Sequence, residues 1–421
     1  MLGTCVAVNA SASHGATACA EIDATNSCGV SSCSNAETNN SQREKGSSMN
    51  QSDFMKELCP VKPFKRPKGD NRNIVVSMFS GAGGLDMGFV MEDYNIVWAN
   101  DFDADACATY KANIGDHIRC GDIEGYLYEL EQFKDKVDVL IGGPPCQGFS
   151  VAGKMDPDDP RSQNVWRYLK ALGIIRPKAF LMENVKALGA LDKWREVREK
   201  LLAGMRELGY NADYIVVNAS DYNVPQNRER VLFIGFLEKS DEPLNLEEML
   251  KPYKIKGPTV KEVLAVLDRP GTGNNTNVCN AKVTFCQNPV MRKSPYAGMI
   301  FNGLGRPIRV NGYCATLPAS MGGNKTPIID EEELREGKKS FVEEYHKGLA
   351  DGTINAEFKE APKRLRRLTV EEAAAIQTFP LGYKFIGSRT TMYKQIGNAV
   401  PCNMSRQIAK MMKAKLDSMK K

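Results

Sequence analysis

Val137-Asp138-Val139-Leu140-Ile141-Gly142-Gly143-Pro144-Pro145-Cys146-Gln147-Gly148-Phe149-Ser150 is the stretch on which the fold turns. Its first part is a short apolar run rich in β-branched residues. Paired glycines and prolines then stop it, the pattern of a central parallel strand closed by breakers. Cys146 therefore stands just past a strand's C-terminal end, and in open α/β sheets the crevice beyond those ends is where ligands bind. Most free cysteines are small buried hydrophobes, and the remaining cysteines of this chain are read that way. Cys146 differs, because glycines and prolines hold its thiol in a turn rather than in a core.

Working outward, further apolar runs occur at 74–79, 97–99, 179–182, 214–217 and 231–236, separated by helical stretches. The alternation predicts a doubly wound α/β domain. Trp194, Val197, Leu201, Met205 and Leu208 recur at helical spacing and read as core packing. After about residue 239 the pattern fades into Gly-, Asn- and Pro-rich segments, a second domain of loops and short strands. An acidic helix, Asp330 to Glu344, reads there as a solvated face. Thr369-Val370-Glu371-Glu372 is a capping box that opens a further helix, and a last helix follows Pro401. The expected organisation is a disordered tail over 1–70, with Met49 or Met55 as alternative starts. A catalytic domain over 71–250 is completed by 390–421, and a smaller domain occupies 251–389.

The 421 residues are 42% hydrophobic and 25% charged, enough for a large core, and the net charge of +5 permits an anionic partner without demanding one. Twelve cysteines without a CxxC pair, beside three histidines, speak against a zinc site or a disulfide framework and for a reducing compartment. No apolar run approaches the roughly 20 residues of a membrane span, and the N-terminus lacks signal-peptide character.

Two acids and a loop point to a nucleoside ligand. The strand at 74–79 runs into Ser80-Gly81-Ala82-Gly83-Gly84-Leu85-Asp86, where glycines let the backbone approach a ligand and a helix is expected to start near Leu85. Asp101 follows about twenty residues later, where this fold sets an acid on ribose hydroxyls. Asp122 stands at a later strand end. The third glycine of a dinucleotide fingerprint is displaced and the P-loop Lys-Ser/Thr is missing, so a nucleoside without pyrophosphate fits better. Glu183 sits at the tip of another apolar strand, and Arg228 and Arg230 lead into the strand at 231–236. Cys146, Glu183 and Arg230 are thus expected to converge beside the glycine loop.

Taken in order, these motifs resemble those of the cytosine carbon-5 DNA methyltransferases, restriction-modification enzymes in particular. They are Phe79-Ser80-Gly81-Ala82-Gly83-Gly84, Pro144-Pro145-Cys146-Gln147, Glu183-Asn184-Val185, Gln226-Asn227-Arg228-Glu229-Arg230, Arg367-Leu368-Thr369 and Gln395-Ile396-Gly397-Asn398-Ala399-Val400-Pro401. The resemblance runs from Ile74 nearly to the C-terminus. It implies a Rossmann-like, S-adenosylmethionine-dependent methyltransferase domain with a smaller, mainly irregular or β target-recognition domain. It also implies catalytic roles for Cys146, Glu183, Arg230 and Arg228, and a cofactor site of Phe79, Gly81, Gly83, Asp101, Asp122 and Asn398. DNA contacts are implied at Gln147, Ser150 and Thr316, with no metal. The basic run 363–367 either meets phosphates or is a solvated face.

The implied activity is transfer of a methyl group to carbon 5 of a cytosine flipped out of double-stranded DNA, through a covalent Cys146 adduct. The partners implied are duplex DNA and a restriction endonuclease acting on the same site without direct contact. A monomeric, cytoplasmic, nucleoid-associated protein follows. The alternatives are a transfer-RNA methyltransferase of the same family, against which Ser150 speaks because that branch usually carries Thr there, and a catalytically inactive DNA-binding homologue.

Overall fold

Among the described residues, seven strands form one sheet. They are β1 Ile74–Met78, β2 Asn95–Asp101, β3 Ile118–Cys120, β4 Val139–Gly142, β5 Ala179–Val185, β6 Asn211–Asn218 and β7 Glu229–Phe236. Their order is β3-β2-β1-β4-β5-β7-β6. The computed structural model describes residues 64–66, 68–145, 163–240 and 242–420. Of the expected disordered tail only 64–66 and 68–70 are described, and there the chain is anchored, Arg66 bonding Asp138 at 2.8 Å; residues 1–63 and Cys146, Gln147 and Ser150 lie outside the described residues. All those described fall within one compact unit, Met49–Lys421.

Every strand expected from an apolar run is present. β3 is the strand end expected just before Asp122, although its three residues, with Arg119 in the middle, carry no readable period of their own. β7 is the exception in an otherwise parallel sheet: it runs antiparallel to both β5 and β6. The short connection from Asn218 to Glu229 cannot hold a crossover helix, so the chain must turn back on itself.

Alternation along β1 sorts the two faces. Ile74, Val76 and Met78 pack with helix α3 (Asn164–Ile175) and helix α4 (Arg195–Glu207), while Val75 joins the cluster on the other side. That second face is covered by α1 (Gly84–Val90) and by the C-terminal helix Cys402–Ser418, through Leu85, Phe89, Met404, Ile408, Met411, Met412 and Leu416. The chain does come back to its first sheet. Gly88 makes the close approach possible: a Cβ there would lie 2.4 Å from the Arg406 backbone nitrogen. Ser405 donates its hydroxyl to the Leu85 carbonyl across the same contact.

Beyond the sheet, a third cluster joins Val260, Leu264, Ile308, Val310 and Leu317 to Leu368, Ile376, Tyr393 and Ile396. The capping box at Thr369 is formed, with Glu372 as its partner, opening the helix Val370–Ile376. Two expectations are corrected. The acidic helix is two helices, Glu331–Glu336 and Phe341–Asp351, parted at Gly337, whose φ is 67°. Its acids are not all solvated: Asp330 and Glu333 are buried. The basic run is largely spent on those acids. Arg364 bonds Asp330 at 2.8 Å, Arg366 pairs with Glu331 and Glu372, and Arg367 is buried and donates to the Thr326 carbonyl at 2.8 Å. An arginine already neutralised by a buried carboxylate gains little from a phosphate. No helix among the described residues is long and apolar enough to cross a membrane.

Candidate functional site

Strand register brings the predicted residues to one edge of the sheet. Met78 pairs with Asn100 and with Gly142, Gly142 with Met182, Asp101 with Cys120, and Val185 with Arg230. Read across the sheet, the edge therefore carries Cys120 to Asp122, Asp101, the loop from Phe79 to Gly83, Gly143 to Pro145, Glu183, and then Arg230. The strand order reverses between β1 and β4, the place where open α/β sheets leave a crevice. Glu183 lies two strands from the glycine loop, about 10 Å at the usual strand spacing.

The loop is held by its neighbours. Phe79, Gly81 and Gly83 have φ of 54°, 55° and 84°. Such a conformation is costly for a bulky phenylalanine and is kept where surrounding contacts over-determine it. The Ser80 amide donates to the Asn100 carbonyl at 2.9 Å, and the Gly81 amide to Asp101 Oδ2 at 2.7 Å. Asp101 Oδ1 accepts from the Asp103 amide at 2.9 Å. Burial pushes the Asp101 carboxyl up, and these two amides oppose that. Each of its oxygens keeps a second lone pair for a vicinal diol. A Cβ on Gly81 would meet no atom within 4 Å, so open space adjoins the loop. Asp122 is exposed, caps the turn that follows it through the Glu124 amide, and lies 3.8 Å from Arg167. Asn398 ends the helix Arg389–Asn398, exposed, and the next residues, Ala399 and Val400, press on Gly84. These residues fit an adenosine-bearing group.

Glu183 and Arg230 form an ion pair, Oε1 to Nε at 2.9 Å, with both side chains about one-eighth exposed. Arg230 also donates to the Glu229 carbonyl at 2.7 Å. Next door, Asn184 Nδ2 donates to the Pro144 carbonyl at 3.1 Å, fixing the chain just before Cys146. Gly143 lets that chain pass the carboxylate, since a Cβ there would sit 3.3 Å from Glu183 Oε2.

Arg228, grouped by the resemblance with the catalytic residues, is not part of this pair. Its guanidinium is buried, donating to the Leu317 carbonyl at 3.3 Å and the Gly397 carbonyl at 3.0 Å. Its backbone lies between β7 and a two-residue parallel pairing of Gln226 and Asn227 with Cys314 and Ala315. Thr316 is exposed on the strap so formed and donates to the Asn227 carbonyl at 2.9 Å. Sequence reasoning missed Gln226 and Gln377. Both are fully buried and bonded to each other at 3.0 Å; Gln226 accepts from the Leu317 amide, and Gln377 donates to the Ile396 and Ala399 carbonyls. The signal available was a glutamine opening the run 226–230, with nothing to name its partner.

A strand order of 3-2-1-4-5-7-6 with a glycine loop after β1 and an acid ending β2 defines a Rossmann-like methyltransferase. The conserved description of C-5 cytosine-specific DNA methylases matches residues 74–414, and the chain belongs to that family. It is a DNA cytosine carbon-5 methyltransferase. Among curated relatives, the type II methyltransferase M.NgoPII of Neisseria gonorrhoeae is 32% identical over 354 residues, covering 82% of this chain and 96% of the relative. M.MthTI of Methanothermobacter thermautotrophicus is 32% identical over 349 residues, covering 82% and 98%. Among solved structures, the S. pombe Dnmt2 methyltransferase has a TM-score of 0.58 at 16% identity, covering 82% of this chain and 100% of that one. A putative DNA modification methyltransferase from an E. coli prophage has a TM-score of 0.55 at 22% identity, covering 82% and 99%. At these identities the solved structures speak for the fold alone.

Proposed function

We propose that the protein methylates carbon 5 of a cytosine in a specific duplex DNA sequence, with S-adenosylmethionine as donor, and so protects that sequence from a cognate restriction endonuclease. The observation that carries this is the Glu183–Arg230 pair beside Gly143 and Pro144, in line with the glycine loop. The target base leaves the duplex to reach this edge, because carbon 6 is inaccessible within the stack. Cys146 adds as thiolate to carbon 6, which makes carbon 5 nucleophilic. Glu183 holds the Watson–Crick edge at ring nitrogen 3, and Arg230 bonds the carbonyl oxygen, stabilising the charge that the addition places on the ring. The bound S-adenosylmethionine supplies an electrophilic methyl group. Carbon 5 then loses its proton, the bond to Cys146 breaks, and the thiolate is regenerated.

Asp101 takes the ribose hydroxyls, Asp122 the adenine amino group, and Phe79, Gly81, Gly83 and Asn398 line the same site. Gln147, Ser150 and Thr316 face the DNA. A catalytic part over 71–250, completed by 390–421, holds a recognition part over 251–389. The protein works as a cytoplasmic, nucleoid-associated monomer. The relatives named type II methyltransferases support the restriction link. Transfer of labelled methyl to duplex DNA, absent in Cys146→Ser while donor binding survives, is the expected result. Label appearing only in transfer RNA, or activity retained by Cys146→Ser, overturns the reading.

A further inference from the structure

Asp86 is used by no step above, yet it is fully buried in the first turn of α1, directly after the glycine loop. Its Oδ1 accepts the Tyr110 hydroxyl at 2.9 Å, and its Oδ2 meets no hydrogen-bond partner among the described residues. The Ser77 hydroxyl lies beside the carboxyl but is bonded to Ser80 Oγ at 2.8 Å. Tyr110, itself fully buried, adjoins His117, whose Nε2 is 3.2 Å from the hydroxyl and whose ring is partly exposed. An unbroken chain thus leads from the buried acid to the surface.

The groups facing Asp86 are Ser77 from β1, Asp101 from β2, Tyr110 from the helix Ala104–Asn113, and Tyr383 and Cys402 from the C-terminal part. None of these is a cation. Burial pushes the Asp86 carboxyl up to about 7, against the Ser77 and Tyr110 hydroxyls, which favour the anion, while Asp101 adds to the rise. Burial lowers His117, so the far end of the chain offers no compensating charge at neutral pH. A buried anion with no positive partner costs free energy that a bound cation would offset.

We propose that Asp86 couples binding of the sulfonium-bearing methyl donor to release of one proton, so that the cationic donor is held more tightly as pH rises while its uncharged thioether product is not. The proton leaves the carboxyl through the Tyr110 hydroxyl to His117, which passes one on to water. The sulfonium is the charge that distinguishes donor from product, and Asp86 lies one helical turn from the loop that would hold either. Asp86 is a positioning residue acting through charge, not a group that touches the reacting atoms. The inference rests on reading the glycine loop as the donor site.

The test is calorimetric titration of the full chain with S-adenosylmethionine and with S-adenosylhomocysteine, in two buffers of different ionisation enthalpy, between pH 6 and 8. Both ligands carry the same α-amino group, so its titration cancels. The expected result is proton release with the donor, about half a proton near pH 7, and little with the product. Donor affinity relative to product rises about fivefold between pH 6 and 8, the effect of moving one carboxyl down by one unit from about 7. Asp86→Asn keeps donor binding and loses the release. Tyr110→Phe, which removes the hydrogen bond to the anion, moves the release to higher pH and remains informative if the first variant does not fold. Equal release with both ligands, or release surviving in Asp86→Asn, overturns the inference. Failure of either ligand to bind the unmodified protein overturns the donor-site reading instead.

Discussion

Replacing Arg228 by alanine separates a structural arginine from Arg230, two residues away, to which the proposal gives the base. Its guanidinium bonds the carbonyls of Leu317 and Gly397, which belong to segments far apart in the chain, and it is 1% exposed. Hydrogen bonds from a charged donor contribute about 1.5–3 kcal/mol each, and two stranded carbonyls would be left buried. A loss of about 4 kcal/mol follows, within the range for breaking buried charged interactions. At about 2 °C per kcal/mol for a large domain, the melting temperature falls by about 8 °C. The assay is thermal unfolding followed by fluorescence, with methyl transfer measured well below the transition. Arg230→Ala, whose partner Glu183 remains at a partly exposed edge, should lose methyl transfer with a much smaller thermal shift. An Arg228→Ala protein with unchanged melting temperature and abolished turnover would refute this division and return Arg228 to the reacting groups.

Gly88→Ala drives a methyl group into the Arg406 backbone and should cost about 1–3 kcal/mol, read as a lower urea midpoint; an unchanged midpoint means the helices do not meet as described. Asp138 is held below the usual carboxylate range: burial raises it, but Lys178, the Ile74 amide and Arg66 outweigh that. Its contribution is therefore present above about pH 4 and lost as pH falls through its folded-state value. Asp138→Asn should lower stability at pH 7 and flatten the acid side of the urea-midpoint profile between pH 3 and 7. Arg366→Ala should weaken folding, by leaving buried Glu372 without its cation, yet leave the salt dependence of DNA binding unchanged. Lys363→Ala, at the exposed member of the same run, should reduce the slope of log K against log salt by about 0.9. Reversal of these two slopes would place the phosphate contact at Arg366 instead and refute its assignment to Glu331 and Glu372.

The strand ends were legible because their signals are local. An apolar run stopped by breakers needs no partner to be recognised, and an acid at its tip, as at Asp101 or Glu183, is conspicuous against the run before it. What was not legible depends on pairings between distant residues. Arg228 and Arg230 differ by two positions, so the strand period assigns both to one face and cannot tell them apart. They are parted because the pairing partner changes between them: Gln226 and Asn227 run beside Cys314 and Ala315, whereas Glu229 begins β7 in the main sheet. The same holds for charge. Lys363 to Arg367 reads as a basic run, and Asp330 to Glu344 as an acidic one, each apparently solvated. Antiparallel pairing of Ile328–Asp330 with Leu365–Arg367 lays one on the other, and Arg364 closes on Asp330 with both Nε and Nη2. Opposite runs of charge separated by some thirty residues are therefore a reason to look for a shared strand pair before assigning either run to DNA, since burial of one member decides the fate of the other.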